Sequence, residues 1–226
     1  METISIIRML QDEFEAARNK NHALQMEAYM KHNFKFIGIK SPQRRALQKP
    51  FLDTFHTTLS VQSKWQIIFE LWKKEEREYQ LLAMDLLNKF KKSEFSITDI
   101  VRFERLILEK SWWDSVDTIA SNALGIYFKQ FPNQQKIITQ KWGDSSNIWL
   151  MRSCLIFQLK YKNDVDFELS SSLIRKFQFN NEFFIQKAIG WSLRQYSKFN
   201  PEEVRDFLSK NKLSGLATRE ASKYLN

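Results

Sequence analysis

Two adjacent indoles and two acids stand together in Lys110-Ser-Trp-Trp-Asp-Ser-Val-Asp117, the segment of this chain best equipped for chemistry. On a helix running over 113–130, Trp113 and Asp117 are four residues apart, so they share a face one turn above the other. Neither group is a good nucleophile, but both stabilise positive charge, the indole through its quadrupole and the carboxylate through Coulomb attraction. The pair suits a cationic or sugar-like ligand and a carbocation developing on it. The same spacing also describes an ordinary amphipathic helix, with Trp113 in the core and Asp114 and Asp117 offsetting the macrodipole near the N-terminus. On spacing alone that plainer reading has the greater weight. Asp114 falls roughly 100° from Trp113 around an ideal helix, which suits a cap or a supporting group.

The elements that must position these residues are helical. Strand signals are nearly absent: Asn-Gly and Asp-Gly turns do not occur, and period-two alternation is short wherever it starts. Ser41-Pro42-Gln43-Arg44 places a cap before a proline in the first helical position, and Asn200-Pro201-Glu202-Glu203 repeats that device near the other end. Pro50 is expected to break or kink the helix begun at Ser41, and Gly125, Gly143 and Gly215 to fall in or beside interhelix punctuation. Gly190 sits inside a helical pattern, where it costs about 1 kcal/mol relative to alanine. Either a close approach by a ligand or backbone, or tight helix packing, would account for it.

Small residues in apolar helices recur at Ala83, Ala120, Cys154, Ala188 and Ala221, with spacings of 37, 34, 34 and 33. Such a period matches stacked helical hairpins, each burying its apolar face only against its neighbours. The expected architecture is therefore all-α, a right-handed α-solenoid of HEAT-like repeats forming one domain over 1–226. These small residues would occupy the second helix of each pair. In that register Trp113 and Asp117 come near Arg152 and Trp191 from the next two repeats, on one concave wall. Arg152 has the fork geometry to bind a phosphate, and Lys187, Arg194 and Lys198 extend a basic stripe along the helix of Trp191.

Composition agrees with a polyanionic partner. The chain has 35 basic and 26 acidic residues, a formal net charge of +9, 43% hydrophobic and 14% aromatic residues, and only five glycines and four prolines. Its sequence pI is near 9.5. Ample apolar material argues against disorder. One cysteine, Cys154, cannot form an internal disulfide, and three scattered histidines give no zinc spacing. With no apolar h-region in 1–21 and no run of about 20 apolar residues, the expectation is a cytoplasmic protein without membrane, metal or cofactor.

Ser111-Trp-Trp-Asp-Ser-Val-Asp117, Asn147-Ile-Trp-Leu150 and Phe183-Phe-Ile-Gln-Lys-Ala-Ile-Gly-Trp191 resemble the signature segments of AlkD-type DNA alkylation repair glycosylases. Tyr29-Met-Lys, Phe36-Ile-Gly-Ile-Lys-Ser-Pro-Gln-Arg-Arg45 and Leu216-Ala-Thr-Arg-Glu-Ala221 are similar too, so the resemblance spans essentially the whole chain. It implies a solenoid that holds duplex DNA and hydrolyses the N-glycosidic bond of N3- or N7-alkylated purines, as a monofunctional, monomeric glycosylase. The implied catalytic set is Trp113, Asp117 and Trp191. Arg152 would contact the DNA backbone, Tyr29 would contribute to the cleft wall, and Arg44, Arg45, Lys187, Arg194 and Lys198 would complete the DNA-binding surface. The chain departs from the family pattern at Met151, where a second arginine is common; the expected consequence is weaker backbone binding with the chemistry untouched.

Other classes fare less well. A Gly-rich phosphate loop is absent and the five glycines are dispersed, which disfavours phosphoryl transfer. A Schiff-base lyase would need a desolvated lysine such as Lys110 or Lys187, neither at a position the family pattern marks as nucleophilic. The remaining alternative is a noncatalytic HEAT-like solenoid that binds DNA or scaffolds proteins.

Overall fold

The computed structural model describes residues 2–225. Among them the regular secondary structure is helical apart from one isolated bridge, between Lys35 and Glu76. It divides into two compact units, Met1–Glu94 and Phe95–Asn226.

The first unit contains α1 (Glu2–Ala16), α2 (Lys20–Tyr29), α3 (Ser41–Thr58), α4 (Val61–Lys73) and α5 (Arg77–Leu87). Side-chain caps start two of them: Asn19 accepts from the His22 amide, and Ser60 from the Ser63 amide. Aromatic packing closes the core, with Phe14 on Tyr79 at 5.6 Å between ring centroids and Trp65 on Phe90 at 5.1 Å. Glu78, fully buried, accepts from the amides of Ile37, Gly38 and Ile39 at 3.0, 2.8 and 3.1 Å. That carboxylate satisfies three consecutive donors of a chain segment that has no helix or sheet to do so. Gly38 adopts φ +94, and a Cβ there would lie 2.0 Å from the Asn19 carbonyl oxygen, so both backbone conformation and space require glycine.

Two expectations shift in this unit. Lys40, not Ser41, is the cap residue of α3, with Ser41 and Pro42 as its first two helical residues. Pro50 lies inside α3 and does not end it. A proline interior to a helix forfeits one backbone bond, and here the packing of α3 on α1 and α5 carries the helix past that loss.

The second unit contains α6 (Ile100–Leu108), α7 (Trp113–Ile119), α8 (Gly125–Gln130), α9 (Pro132–Gly143), α10 (Ile148–Ile156), α11 (Phe167–Phe177), α12 (Phe183–Tyr196), α13 (Pro201–Lys210) and α14 (Gly215–Ala221). A π-helical turn, Ala120–Leu124, joins α7 to α8, so 113–130 is helical without interruption. Successive helices form pairs whose second members meet: α10 packs on α7 and on α12, and α12 packs on α14. This is the HEAT-like pattern the period predicts. Cys154, Ala188 and Ala221 lie buried on α10, α12 and α14, Ala120 is buried where the π turn continues α7, and Ala83 is buried on α5. Small side chains are needed there because helix axes in contact approach to about 8–10 Å.

The glycines divide by neighbour. Gly143 closes α9 and Gly215 opens α14, between helices as expected. Gly125 does not punctuate helices; it sits where the π turn returns to α-helix, and a Cβ there would lie 2.7 Å from the Phe157 carbonyl oxygen. At Gly190 a Cβ would lie 2.5 Å from the Glu220 Cβ and 2.8 Å from the Ala217 carbonyl oxygen. Helix packing against α14 therefore accounts for Gly190, and a ligand is not required.

Candidate active site

Lys110 takes a left-handed φ of 52 between α6 and α7, reversing the chain so that Trp112 enters α7 in extended conformation as its cap residue. Trp113 and Asp117 then share one face of α7, as the spacing demands. Trp113 is partly buried, and Asp114 lies buried in the first turn. The π turn begins three residues beyond Asp117, and Ser121 Oγ donates to the Asp117 carbonyl oxygen at 2.7 Å. Insertions of this kind free a carbonyl from the regular ladder and let a helix reorient one face.

Arg152 comes from α10, whose start is set by Asn147, with Oδ1 accepting from the amides of Trp149 and Leu150. Its side chain is nearly inaccessible and reaches two other helices. Arg152 Nε and Nη2 donate to Asp117 Oδ1 and Oδ2 at 2.6 and 2.8 Å, a bidentate pair, while Nη1 donates to the Phe184 carbonyl oxygen at the start of α12. The guanidinium carbon lies 5.8 Å from the Phe184 ring centroid. Phe184 in turn packs on Trp112 and Trp149, at 5.4 and 5.0 Å, and those two indoles lie 5.7 Å apart. Arg152 thus joins α7 to α12 beside an aromatic triad.

Asp117 retains 14% side-chain exposure. Burial pushes its carboxyl above the usual carboxylate range; the Arg152 guanidinium pulls it back down, and nearby Asp114 pushes it up further. The result is a carboxylate fixed in orientation and poorly solvated, with a small part of its surface still accessible. Pairing consumes one acceptor direction on each oxygen and leaves the others unused.

Trp191 is partly buried on α12, seven residues beyond Phe184 and therefore on nearly the same face, about 10 Å further along the axis. Lys187 and Arg194 occupy a neighbouring stripe and both bind Glu220 of α14, at 2.8 and 2.5 Å. Lys198 is exposed with its ammonium 4.8 Å from the Tyr224 ring centroid. In the first unit Tyr29 is exposed, as is Arg45. Arg44 is buried, donating to Gln48 Oε1 and Asp85 Oδ2 at 2.6 and 2.8 Å, so of the two adjacent arginines only Arg45 presents its charge to solvent.

Sequence reasoning assigned no role to Trp112, Trp149 or Phe184. A signal existed: 112, 149 and 184 are separated by 37 and 35 residues, close to the period of the small residues, and each stands at or beside a second-helix start. Among the described residues no group of three or more His, Cys, Asp or Glu side chains is placed to hold a metal ion. Cys154 is buried and burial raises its thiol pKa strongly, which keeps it protonated and unreactive. No described helix is long and apolar enough to cross a membrane.

The family model for the DNA alkylation repair enzyme matches residues 10–225. A solved structure titled a predicted DNA alkylation repair enzyme from Enterococcus faecalis is 40% identical, with a TM-score of 0.84, over 92% of this chain and 96% of that one. AlkD2 from Streptococcus mutans aligns at TM-score 0.62 and 17% identity, over 79% of this chain and 89% of its own; smu.31 from Streptococcus mutans UA159 aligns at 0.60 and 18%, over 81% and 98%. These two share the fold. No curated protein matches. With nearly all of the sequence covered by one family model and the 40% identical structure agreeing with it, the chain belongs to the DNA alkylation repair enzyme family.

Proposed function

We propose that the protein is a monofunctional, monomeric, cytoplasmic DNA glycosylase that hydrolyses the N-glycosidic bond of cationic N3- or N7-alkylated purines in duplex DNA. The observation that supports this most is the Asp117 carboxylate, held bidentately by Arg152 in a poorly solvated position one helical turn from Trp113.

An alkylated purine already carries positive charge and is a competent leaving group, so the second carboxylic acid of ordinary glycoside hydrolysis is unnecessary. As the C1′–N bond breaks, its electron pair stays with the purine, which departs neutral, and positive charge moves to the deoxyribose. Asp117 and the indoles of Trp113 and Trp191 stabilise that charge by Coulomb attraction and by their quadrupoles. Water then adds to C1′ and gives up a proton, with the Asp117 carboxylate positioned as an acceptor for it. Arg152 orients the carboxylate, and because Arg152 also bonds the backbone of α12 it ties the Asp117 helix to the Trp191 helix. Lys187, Arg194, Lys198, Arg45 and Tyr29 supply the contacts to DNA.

The direct test is base release from duplexes carrying a single N7-methylguanine, a single N3-methyladenine or a larger cationic N7 adduct of similar lability. Free base should appear from all three. Rejection of the large adduct alone would replace recognition at the sugar with a size-limited base pocket. Binding without release from any of them would leave a noncatalytic DNA-binding protein.

A further inference from the structure

Glu220 is the point where three cations of the second unit meet, and the Leu216–Ala221 segment that carries it has no part in the chemistry above. Its Oε1 accepts from Lys187 Nζ at 2.8 Å and Lys223 Nζ at 3.0 Å, and its Oε2 from Arg194 Nη1 at 2.5 Å. Lys187 and Arg194 stand seven residues apart on α12, a rise of about 10.5 Å. One carboxylate reaches both only because Gly190, between them on the same side, leaves space for the Glu220 Cβ. The carboxylate side chain is 6% exposed, whereas Lys187, Arg194 and Lys223 keep 39%, 24% and 48%. The anion is therefore covered by its own cations while those cations still face solvent.

We propose that Glu220 is a positioning residue: it holds Lys187 and Arg194 at a fixed separation on α12, next to Trp191, so that they meet the DNA backbone in one geometry. The proposal rests on the DNA-glycosylase reading above. Three cations against one anion leave the cluster with two positive charges, enough to attract a polyanion. Without the carboxylate the like charges repel, the long side chains spread, and attraction rises while registration is lost. Lys187 and Lys223 lower the Glu220 carboxyl pKa to about 2, which keeps the anchor ionised through the neutral range.

Glu220→Gln separates attraction from registration. Its binding to undamaged duplex should tighten several-fold at low salt, with the slope of log K against log salt steeper by about one. At saturating enzyme its single-turnover excision of N7-methylguanine should be at least about tenfold slower, and Glu220→Asp should recover part of that rate. Gly190→Ala, which dislodges Glu220, should behave alike. In the wild-type protein without DNA, the Arg194 guanidinium protons should exchange with solvent slowly, and in Glu220→Gln quickly. Wild-type excision in Glu220→Gln, binding and excision falling together, or Arg194 exchange in the wild type as fast as a free guanidinium would each overturn the proposal. If the wild type releases no base, the glycosylase reading fails on that result, while the salt slope and Arg194 exchange still decide the role of Glu220.

Discussion

Asp117 and Glu220 are both covered carboxylates on second helices of the same unit, both paired with arginine, yet their proton affinities move in opposite directions. Asp117 has one guanidinium and lies deep, beside the rings that pack on Arg152, so desolvation exceeds attraction and its pKa rises. Glu220 accepts from two lysines, Lys187 and Lys223, both partly in solvent, so their attraction exceeds desolvation and its pKa falls to about 2. What separates them is the count of charged donors against the loss of water. The contrast fits the roles proposed for them: a carboxylate that acts in the chemistry, and one that serves as a permanent anchor.

The sharpest way to break this comparison is Asp117→Asn, which removes charge at nearly constant shape. Excision of N7-methylguanine in single turnover should fall by about 10²–10³ or more, the scale of losing one preorganised electrostatic partner, while undamaged-duplex binding stays within a factor of about two. Near wild-type excision in a folded variant would take Asp117 out of the mechanism. Arg152→Lys asks whether pairing or charge matters at that site. A lysine keeps the charge and loses the fork, so excision should slow about tenfold with the salt slope unchanged; a flattened slope in the charge-removing Arg152→Ala would instead make Arg152 a phosphate contact.

Trp113→Leu and Trp191→Leu keep apolar bulk and remove the quadrupole. Each should slow excision by a few-fold to tens-fold, since a cation–aromatic contact contributes roughly 0.5–2 kcal/mol, and each should weaken binding less than it slows the reaction. Similar losses for differently sized cationic adducts would place the indoles against the sugar; unequal losses would place them against the base.

Acid titration compares the two carboxylates within the folded protein. Glu220 has a lowered pKa, so its stabilising contribution is present above the unfolded value near 4.5 and is lost as pH falls toward about 2. Asp117 has a raised pKa, so its contribution has the opposite sense, present in acid and lost as pH rises through the folded value. Denaturant midpoints of the wild type and Glu220→Gln should therefore converge between pH 4.5 and about 2, whereas excision should decline with acid while the carboxyl of Glu220 is still ionised. An excision limb coincident with the loss of stability would mean unfolding and not Asp117 titration. The smallest expected effect is at Lys198→Ala, where loss of one exposed cation should reduce the salt slope by at most about one and leave the rate at saturating enzyme unaltered.

Much of the fold was legible because helix periodicity, proline starts and the spacing of small residues are local or near-local signals. Asn200-Pro201 marked the start of α13, and the period from Ala120 to Ala221 marked the second helices. Pro50 does not break α3, because propensity describes an isolated helix and α3 is held by its neighbours. At the site, the sharing of one face by Trp113 and Asp117 follows from helical spacing alone. The partner of Asp117 does not: Arg152 is 35 residues away, and whether it faces DNA or the carboxylate depends on how α10 seats between α7 and α12. The same holds for Arg44 and Arg45, adjacent in sequence and opposite in exposure, and for Gly190, whose missing side chain is explained only by Ala217 and Glu220 of α14, some 30 residues on. Sequence by itself determined the residue types, the helical faces and the repeat. Tertiary structure decided which charges are paired, because ion pairing and burial depend on distances of a few ångströms between separate helices, and neither period nor propensity encodes those.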